Sequence, residues 1–190
     1  MVELLEIERK RKLDSGAESL VAQLKSCGFT EAGMLHEIDT YYSRPDVDFM
    51  KTVECLRIRE RDGFAEITYK PASTKSTHTR DDVIIKPETN LPIRTSDTGV
   101  AKQLLSNLEM VKLVEVNKQR HAFKSDDYPH TTVAIDEIKG AGVFVEVEVM
   151  GHSEEDGLKK LEKIEEQLHT TELEVVTKPY RDLCMLAGVN

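Results

Sequence analysis

The 190-residue chain is 39 % apolar and 32 % charged, a soluble globular mixture that suits a single domain over 1–190. Its formal charge of −9 excludes a general nucleic-acid binder, which needs a positive field, but leaves room for a local basic site. No apolar run approaches the ~20 residues of a membrane helix, charge within three residues of Met1 argues against a secretory leader, and Cys27, Cys55 and Cys184 have no metal spacing. Buried free thiols in a reducing cytoplasm are the expectation.

Residues 4–10, LLEIERK, alternate with period two, so a strand there puts Glu6, Glu8 and Lys10 on one face and Leu5, Ile7 and Arg9 on the other. SGAESLVAQLKSCGF predicts a helix, with Ser15 and Glu18 as a capping box, Ala17, Leu20, Val21, Leu24 and Cys27 on one apolar face, and Gly28 as the stop. Strands are predicted at 36–42, 55–61 and 64–70, the last two joined by a tight hairpin at RDG, 61–63. PASTKSTHT at 71–79 is a polar loop; a strand at 80–86 and a connection over 86–97 with two prolines follow. A helix over 97–108 places Val100, Leu104, Leu105 and Leu108 on one side. Strands at 112–122, 131–138 and 143–149 come next, the final pair joined at KGAG, 139–142. A helix opening at Ser153, with Asp156 three residues on, aligns Leu158, Leu161, Ile164 and Leu168, and a short helix follows Pro179. Strands joined mostly by hairpins make an antiparallel sheet and an α+β fold.

The polar faces of these strands segregate by charge. Acids dominate the first and the last two strands: Glu6 and Glu8, Asp136, then Glu146 and Glu148 between valines. Bases dominate the middle: Arg57 and Arg59, Lys70, Lys118 and Arg120, with Arg61 and Glu66 on the same faces toward a mouth. One solvated face explains any single strand; it does not explain sorting by sign. If the sheet closes on itself, five carboxylates converge, and like charges at that spacing repel strongly without a hard cation. Oxygen-only ligands favour Mg²⁺ or Mn²⁺. Inward-facing arginines and lysines require a polyanion, and the arginine fork matches phosphate. Acids holding a divalent metal beside bases holding phosphate is the layout of a phosphoryl-transfer site. Leu5 and Ile7 then face outward under the helices, as in a barrel turned inside out.

Glu6-x-Glu8-x-Lys10, followed in order by LRIRE, TYK, NKQR, AIDEIKGAGVFVEVEV and KPYRDL, resembles the CYTH superfamily, the triphosphate tunnel metalloenzymes, over nearly the whole chain. That resemblance implies a closed eight-stranded antiparallel β-tunnel with helices packed outside, binding a triphosphate end-on with one or two Mg²⁺ or Mn²⁺ ions. It implies Glu6, Glu8, Asp136, Glu146 and Glu148 as metal-binding acids. It implies Lys10, Arg57, Arg59, Lys70, Arg80, Lys118 and Arg120 as phosphate ligands, with Lys178 before the last helix reaching into the tunnel. The chain departs from many relatives at Pro71, where glycine is usual, and at Asp81 and Asp82, where glutamates are usual; these two stay outside the metal shell. The six histidines are scattered and read as surface or structural residues.

The resemblance points to a triphosphatase, in which Glu8 or Glu148 orients water toward the terminal phosphorus while Lys10 and its neighbours take up charge. The alternatives are a class IV adenylyl cyclase, forming cyclic AMP and pyrophosphate from ATP in the same tunnel, and a non-catalytic polyphosphate or nucleotide sensor. The expected partner is a small triphosphate, with no nucleic acid or membrane, in a monomer or homodimer.

Overall fold

The computed structural model describes residues 5–72 and 84–189. Among them, nine strands form one antiparallel sheet: β1 (Leu5–Lys12), β2 (Thr30–Ser43), β3 (Cys55–Arg61), β4 (Phe64–Lys70), β5 (Ile84–Lys86), β6 (Thr89–Ile93), β7 (Val111–Lys124), β8 (Thr131–Ile138) and β9 (Gly142–Gly151). Their order across the sheet is β5-β1-β9-β8-β7-β2-β3-β4-β6. Helices α1 (Ala17–Ser26), α2 (Phe49–Thr52), α3 (Thr98–Asn107), α4 (Glu154–Gln167) and α5 (Tyr180–Leu186) complete the expected α+β fold. No described helix is long and apolar enough to cross a membrane.

The closed eight-stranded tunnel is corrected on two points. Thr89–Ile93 is not a connection but a ninth strand, pairing Asn90 with Thr68 and Leu91 with Ile67. Its Pro92 lacks an N–H, which an edge strand tolerates. Moreover, among the described residues no ladder joins the two ends of the order, so the sheet is an open, curled half-barrel. β6 occupies the edge of β4 that closure would need. Only Pro87 and Glu88 separate β5 from β6, so the two edges lie within about 11 Å of each other at that link. Side chains cross the seam: Lys70 of β4 pairs with Glu6 of β1 and, at 3.2 Å, with Glu88.

The convex face carries the main core. Ile7 is fully buried there with Leu161 and Ile164 of α4 and Leu20 and Leu24 of α1. A Cβ on Gly157 would lie 2.1 Å from Ile7 Cδ1, so this glycine lets α4 approach β1. Arg9 and Arg11 also face outward, meeting Glu165 of α4 at 2.5 and 2.6 Å. α4 starts as expected, with Ser153 Oγ accepting the Asp156 N–H at 3.2 Å. α1 does not start at Ser15: Gly16, at φ 83°, is the N-cap, and its left-handed turn displaces Ser15 from the capping position. α3 buries only Leu105 of its expected face. Ala101 and Leu105 are buried against Tyr42 and Ile58, while Val100, Leu104 and Leu108 stay exposed; small Ala101 is the residue that lets the helix seat.

The last helix departs from the expectation that all helices pack outside. Tyr180 and Cys184 of α5 pack with Tyr41, Val114, Val116, Ile138 and Phe144. By strand alternation these share the faces of Asp39, Lys118, Asp136 and Glu146, so α5 plugs one end of the concave side. All three cysteines are free; Cys184 is buried and Cys27 and Cys55 are half-buried.

Candidate active site

Next to the α5 plug lies a cavity of about 130 Å³, lined from β1, β2, β3, β4, β7, β9 and α5. That is room for several waters or one small anion. Lys10, Arg57, Arg59, Lys70, Lys118 and Arg120 line it together with Glu6, Glu8, Glu146 and Glu148. The strands thus bring together the charges that the sequence sorts by sign.

The wall built by β2, β3 and β7 carries its own counter-ions, and register is the reason. Asp39 stands opposite Arg59, and Glu37 opposite Lys118. Asp39 accepts from Arg59 Nε and Nη2 at 2.7 Å each, and from Arg57 Nη1 at 3.4 Å. Glu37 lies 2.7 Å from Lys118 Nζ and 3.3 Å from Arg59 and Arg61. Burial opposes ionisation of both acids, but Arg59 with Arg57, and Arg59 with Lys118, hold the two carboxyls below their ordinary range. Lys118 is pushed down, first by burial and then by Arg120 and Arg59. Arg120 forks onto Asp136, its partner across β7 and β8, at 2.7 and 2.6 Å, and reaches Glu146 at 2.7 Å. Arg57 is held most loosely: among the described residues its Nε has no hydrogen-bond partner, and Glu88 is 3.9 Å from Nη2.

The wall built by β1 and β9 is different. Glu8 stands directly opposite Glu148, a like-charge pairing that costs stability. Burial, then Glu146, with a contribution from Glu8, pushes the Glu148 carboxyl above its ordinary range. Burial does the same to Glu6, well above that range, because Lys70 offsets only part of it and Glu8, Glu88 and Glu148 add to it. Two neighbours are compensated. At Glu146 burial is outweighed by Arg120 and Lys10, and at Glu88 by Lys70, a hydrogen bond with Glu6 and Arg57; both carboxyls sit at about 2.

Glu6, Glu8 and Glu148 form an all-oxygen set short of positive charge, which fits a hard divalent ion rather than zinc. Among the described residues, no three acids, histidines or cysteines stand together at metal-holding distance. Asp136 does not share this wall. It is fully buried, is absent from the cavity lining, and has both oxygens engaged by Arg120, with Tyr180 Oη donating to one of them at 3.0 Å. Lys178 is exposed ahead of α5; Tyr180 and Arg181 are what the helix contributes to the lining. Arg80, Asp81 and Asp82 lie outside the described residues.

Glu37, Asp39, Glu88, Tyr180 and Arg181 escaped the sequence reading. For the first two a signal existed, since HEIDTYY alternates Glu37, Asp39 and Tyr41 on one face as regularly as LEIERK does. Glu88 sits between two prolines, in a segment without periodicity.

A family model for the CYTH domain matches residues 4–180. A Methanocaldococcus jannaschii protein, provisionally named an adenylate cyclase, is 30 % identical over 184 residues, 95 % of this chain and 98 % of its own. Among solved structures, the PH1819 protein of Pyrococcus horikoshii OT3 aligns with a TM-score of 0.78 at 24 % identity, over 95 % of this chain and 98 % of its own. A Hippeastrum protein, provisionally named an adenylyl cyclase and described as revealing a dominant triphosphatase activity, aligns with a TM-score of 0.68 at 13 % identity, over 98 % of this chain and 97 % of its own. These structural likenesses speak for the fold, while the family match and the archaeal relative carry the assignment: the chain belongs to the CYTH family.

Proposed function

We propose that this protein is a divalent-metal-dependent triphosphatase whose substrate is inorganic tripolyphosphate or a nucleoside or thiamine triphosphate. The observation that carries this is the cavity itself, where six cationic side chains, Lys10, Arg57, Arg59, Lys70, Lys118 and Arg120, line with Glu6, Glu8, Glu146 and Glu148 a space fit for one small anion. Arg57, with donor capacity to spare, and Lys10 and Lys70 at the edges bind the phosphate oxygens, and Arg59 and Arg120, their forks held by Asp39 and Asp136, add positive charge beside the phosphates. Glu6, Glu8 and Glu148 would hold Mg²⁺ or Mn²⁺, which when bound neutralises phosphate charge and polarises the terminal phosphorus. Glu148 lines both this cavity and an open concavity of about 690 Å³ near Thr132, so it is placed between bulk water and substrate. It orients a water and accepts its proton as the water oxygen bonds to the terminal phosphorus. The bond from that phosphorus to the bridging oxygen breaks, and the cations take up the charge left on the departing diphosphate.

The same walls serve a cyclase, in which a ribose hydroxyl replaces water and pyrophosphate leaves. Cyclisation also requires the nucleoside to be folded in line with the α-phosphorus, a large proximity demand. The cavity's charged groups address phosphate, and hydrolysis uses them without that demand. Product analysis with ATP and with tripolyphosphate, each with Mg²⁺ and with Mn²⁺, tests the ordering. Orthophosphate as the main product is expected; cyclic AMP and pyrophosphate with little orthophosphate would reverse it.

A further inference from the structure

Tyr180 opens α5 and is 9 % exposed. Its hydroxyl donates to Asp136 Oδ2 at 3.0 Å, and the same carboxylate holds the Arg120 fork at 2.7 and 2.6 Å. Its ring centroid lies 4.3 Å from Lys10 Nζ and 5.8 Å from Lys118 Nζ. One side chain therefore touches Lys10 and reaches Arg120 through Asp136, while Lys118, 2.7 Å from Glu37, is held by that carboxylate. Its own position is fixed from two sides. Phe144 packs against the ring at 5.3 Å, and fully buried Arg181 donates to the carbonyls of Glu54 and Phe49 at 2.6 and 3.1 Å.

The kind of contact matters. A lysine ammonium on its four-carbon stem has no preset direction, unlike an arginine fork. A carboxylate would direct it but cancel its charge. A ring face attracts it while leaving the net charge intact for an incoming anion. Asp136, buried and off the cavity wall, cannot meet a ligand in the cavity; what it does is aim Arg120.

We propose that Tyr180 is the positioning residue of the cationic wall, its ring directing Lys10 and its hydroxyl directing Arg120 through Asp136, so that Asp136 belongs to this brace and not to the metal-holding carboxylates. The proposal rests on the triphosphate reading of the cavity. It extends that reading to how the wall stays aimed when empty.

The test is calorimetric titration of inorganic tripolyphosphate in the presence of chelator, comparing wild type with Tyr180→Leu, Tyr180→Phe and Asp136→Asn, alongside the melting temperature of each. Tyr180→Leu is expected to weaken metal-free binding about tenfold, the scale of one desolvated ring–ammonium contact. Tyr180→Phe and Asp136→Asn are expected to weaken it several-fold through Arg120. In turnover, KM should rise more than kcat falls. Variants that melt earlier yet bind tripolyphosphate as tightly as wild type would show a purely structural role and overturn the proposal. If Tyr180→Leu does not fold, the isosteric Tyr180→Phe decides, and wild-type affinity there overturns it. If Asp136→Asn keeps its affinity in chelator but loses the effect of added Mg²⁺, Asp136 is a metal ligand and the brace is wrong. Wild type that binds no tripolyphosphate would instead bring down the triphosphate reading, and the proposal with it.

Discussion

Across one cavity, Asp39 stands opposite Arg59 and Glu37 opposite Lys118, while on the far wall Glu8 stands opposite Glu148. On the first wall each cation has a carboxylate partner, and in that sense the wall is balanced, though cations outnumber acids. The second keeps acids together with too few cations among them, and two of its carboxyls, Glu6 and Glu148, are pushed above their ordinary range by burial and by neighbouring carboxylates. A balanced wall persists whether or not an anion is present. An unbalanced wall is a cost to the empty protein that a bound divalent ion removes. The difference supports the proposal that one side of the cavity takes phosphate and the other a divalent ion.

The largest expected effect falls on the balanced wall. Asp39→Ala leaves the half-buried Arg57 and Arg59 guanidinium groups without the buried acid that they share. Breaking a buried pair in this way costs about 3–5 kcal/mol, which corresponds to a fall of about 10 °C in Tm for a chain of this size. A thermal melt within a degree or two of wild type would mean that the wall is not held by that acid.

On the other wall the same kind of change acts on turnover. Glu148→Gln is expected to fold normally and to lower phosphate release about 100- to 1000-fold, the scale of removing one preorganised electrostatic group. Near-wild-type release would remove Glu148 from the mechanism. Next in size is the ligand effect. Tripolyphosphate at ~100 times its Kd stabilises a folded-state-only binder by about 2.7 kcal/mol, and Arg57→Ala should abolish most of that rise. A full rise in the variant would place phosphate elsewhere.

The pH dependence of stability follows from the signs. Glu88 and Glu146 sit at about 2, below the ordinary 4.5, so their contribution is present above about 4.5 and is lost as pH falls toward 2. Glu6 and Glu148 are raised above 4.5, so the stability they retain as protonated groups is present below that value and is lost as pH rises through their folded values. Metal-free protein should therefore be most stable in mild acid and lose Tm toward neutrality. Mg²⁺ should restore the loss. A metal-free Tm that holds level or rises from mild acid to neutrality would contradict the unbalanced wall. The smallest effect runs opposite to Asp39→Ala: Glu148→Gln should raise the metal-free Tm by a degree or two, because it removes one of two facing carboxylates.

Much of this was legible in the chain, and unevenly so. Period-two alternation in LEIERK and VFVEVEV placed the acids, and LRIRE and NKQR placed the bases, because which face a residue occupies is a local property. Partner choice is not local. Glu37 and Asp39 became counter-ions only when β2 aligned with β3 and β7, a register set by strands far apart in sequence. β6 was hidden by Pro92, which reads as a loop signal but is tolerated at a sheet edge. α3 showed an apolar stripe of which Leu105 is buried as expected while Val100, Leu104 and Leu108 stay exposed, since packing added Ala101 beside it. The role of Tyr180 depends on a short helix entering the concave face, and KPYRDL alone does not foretell that docking.

The central claim is that one wall holds phosphate and the other a divalent ion. The most direct measurement follows tripolyphosphate binding and orthophosphate release on the same wild-type sample, first in excess chelator and then across a Mg²⁺ titration. The two-wall account predicts binding without metal, through the balanced cationic wall, and turnover only as Mg²⁺ is added. Full turnover in chelator, or no binding of tripolyphosphate until metal is present, would contradict it.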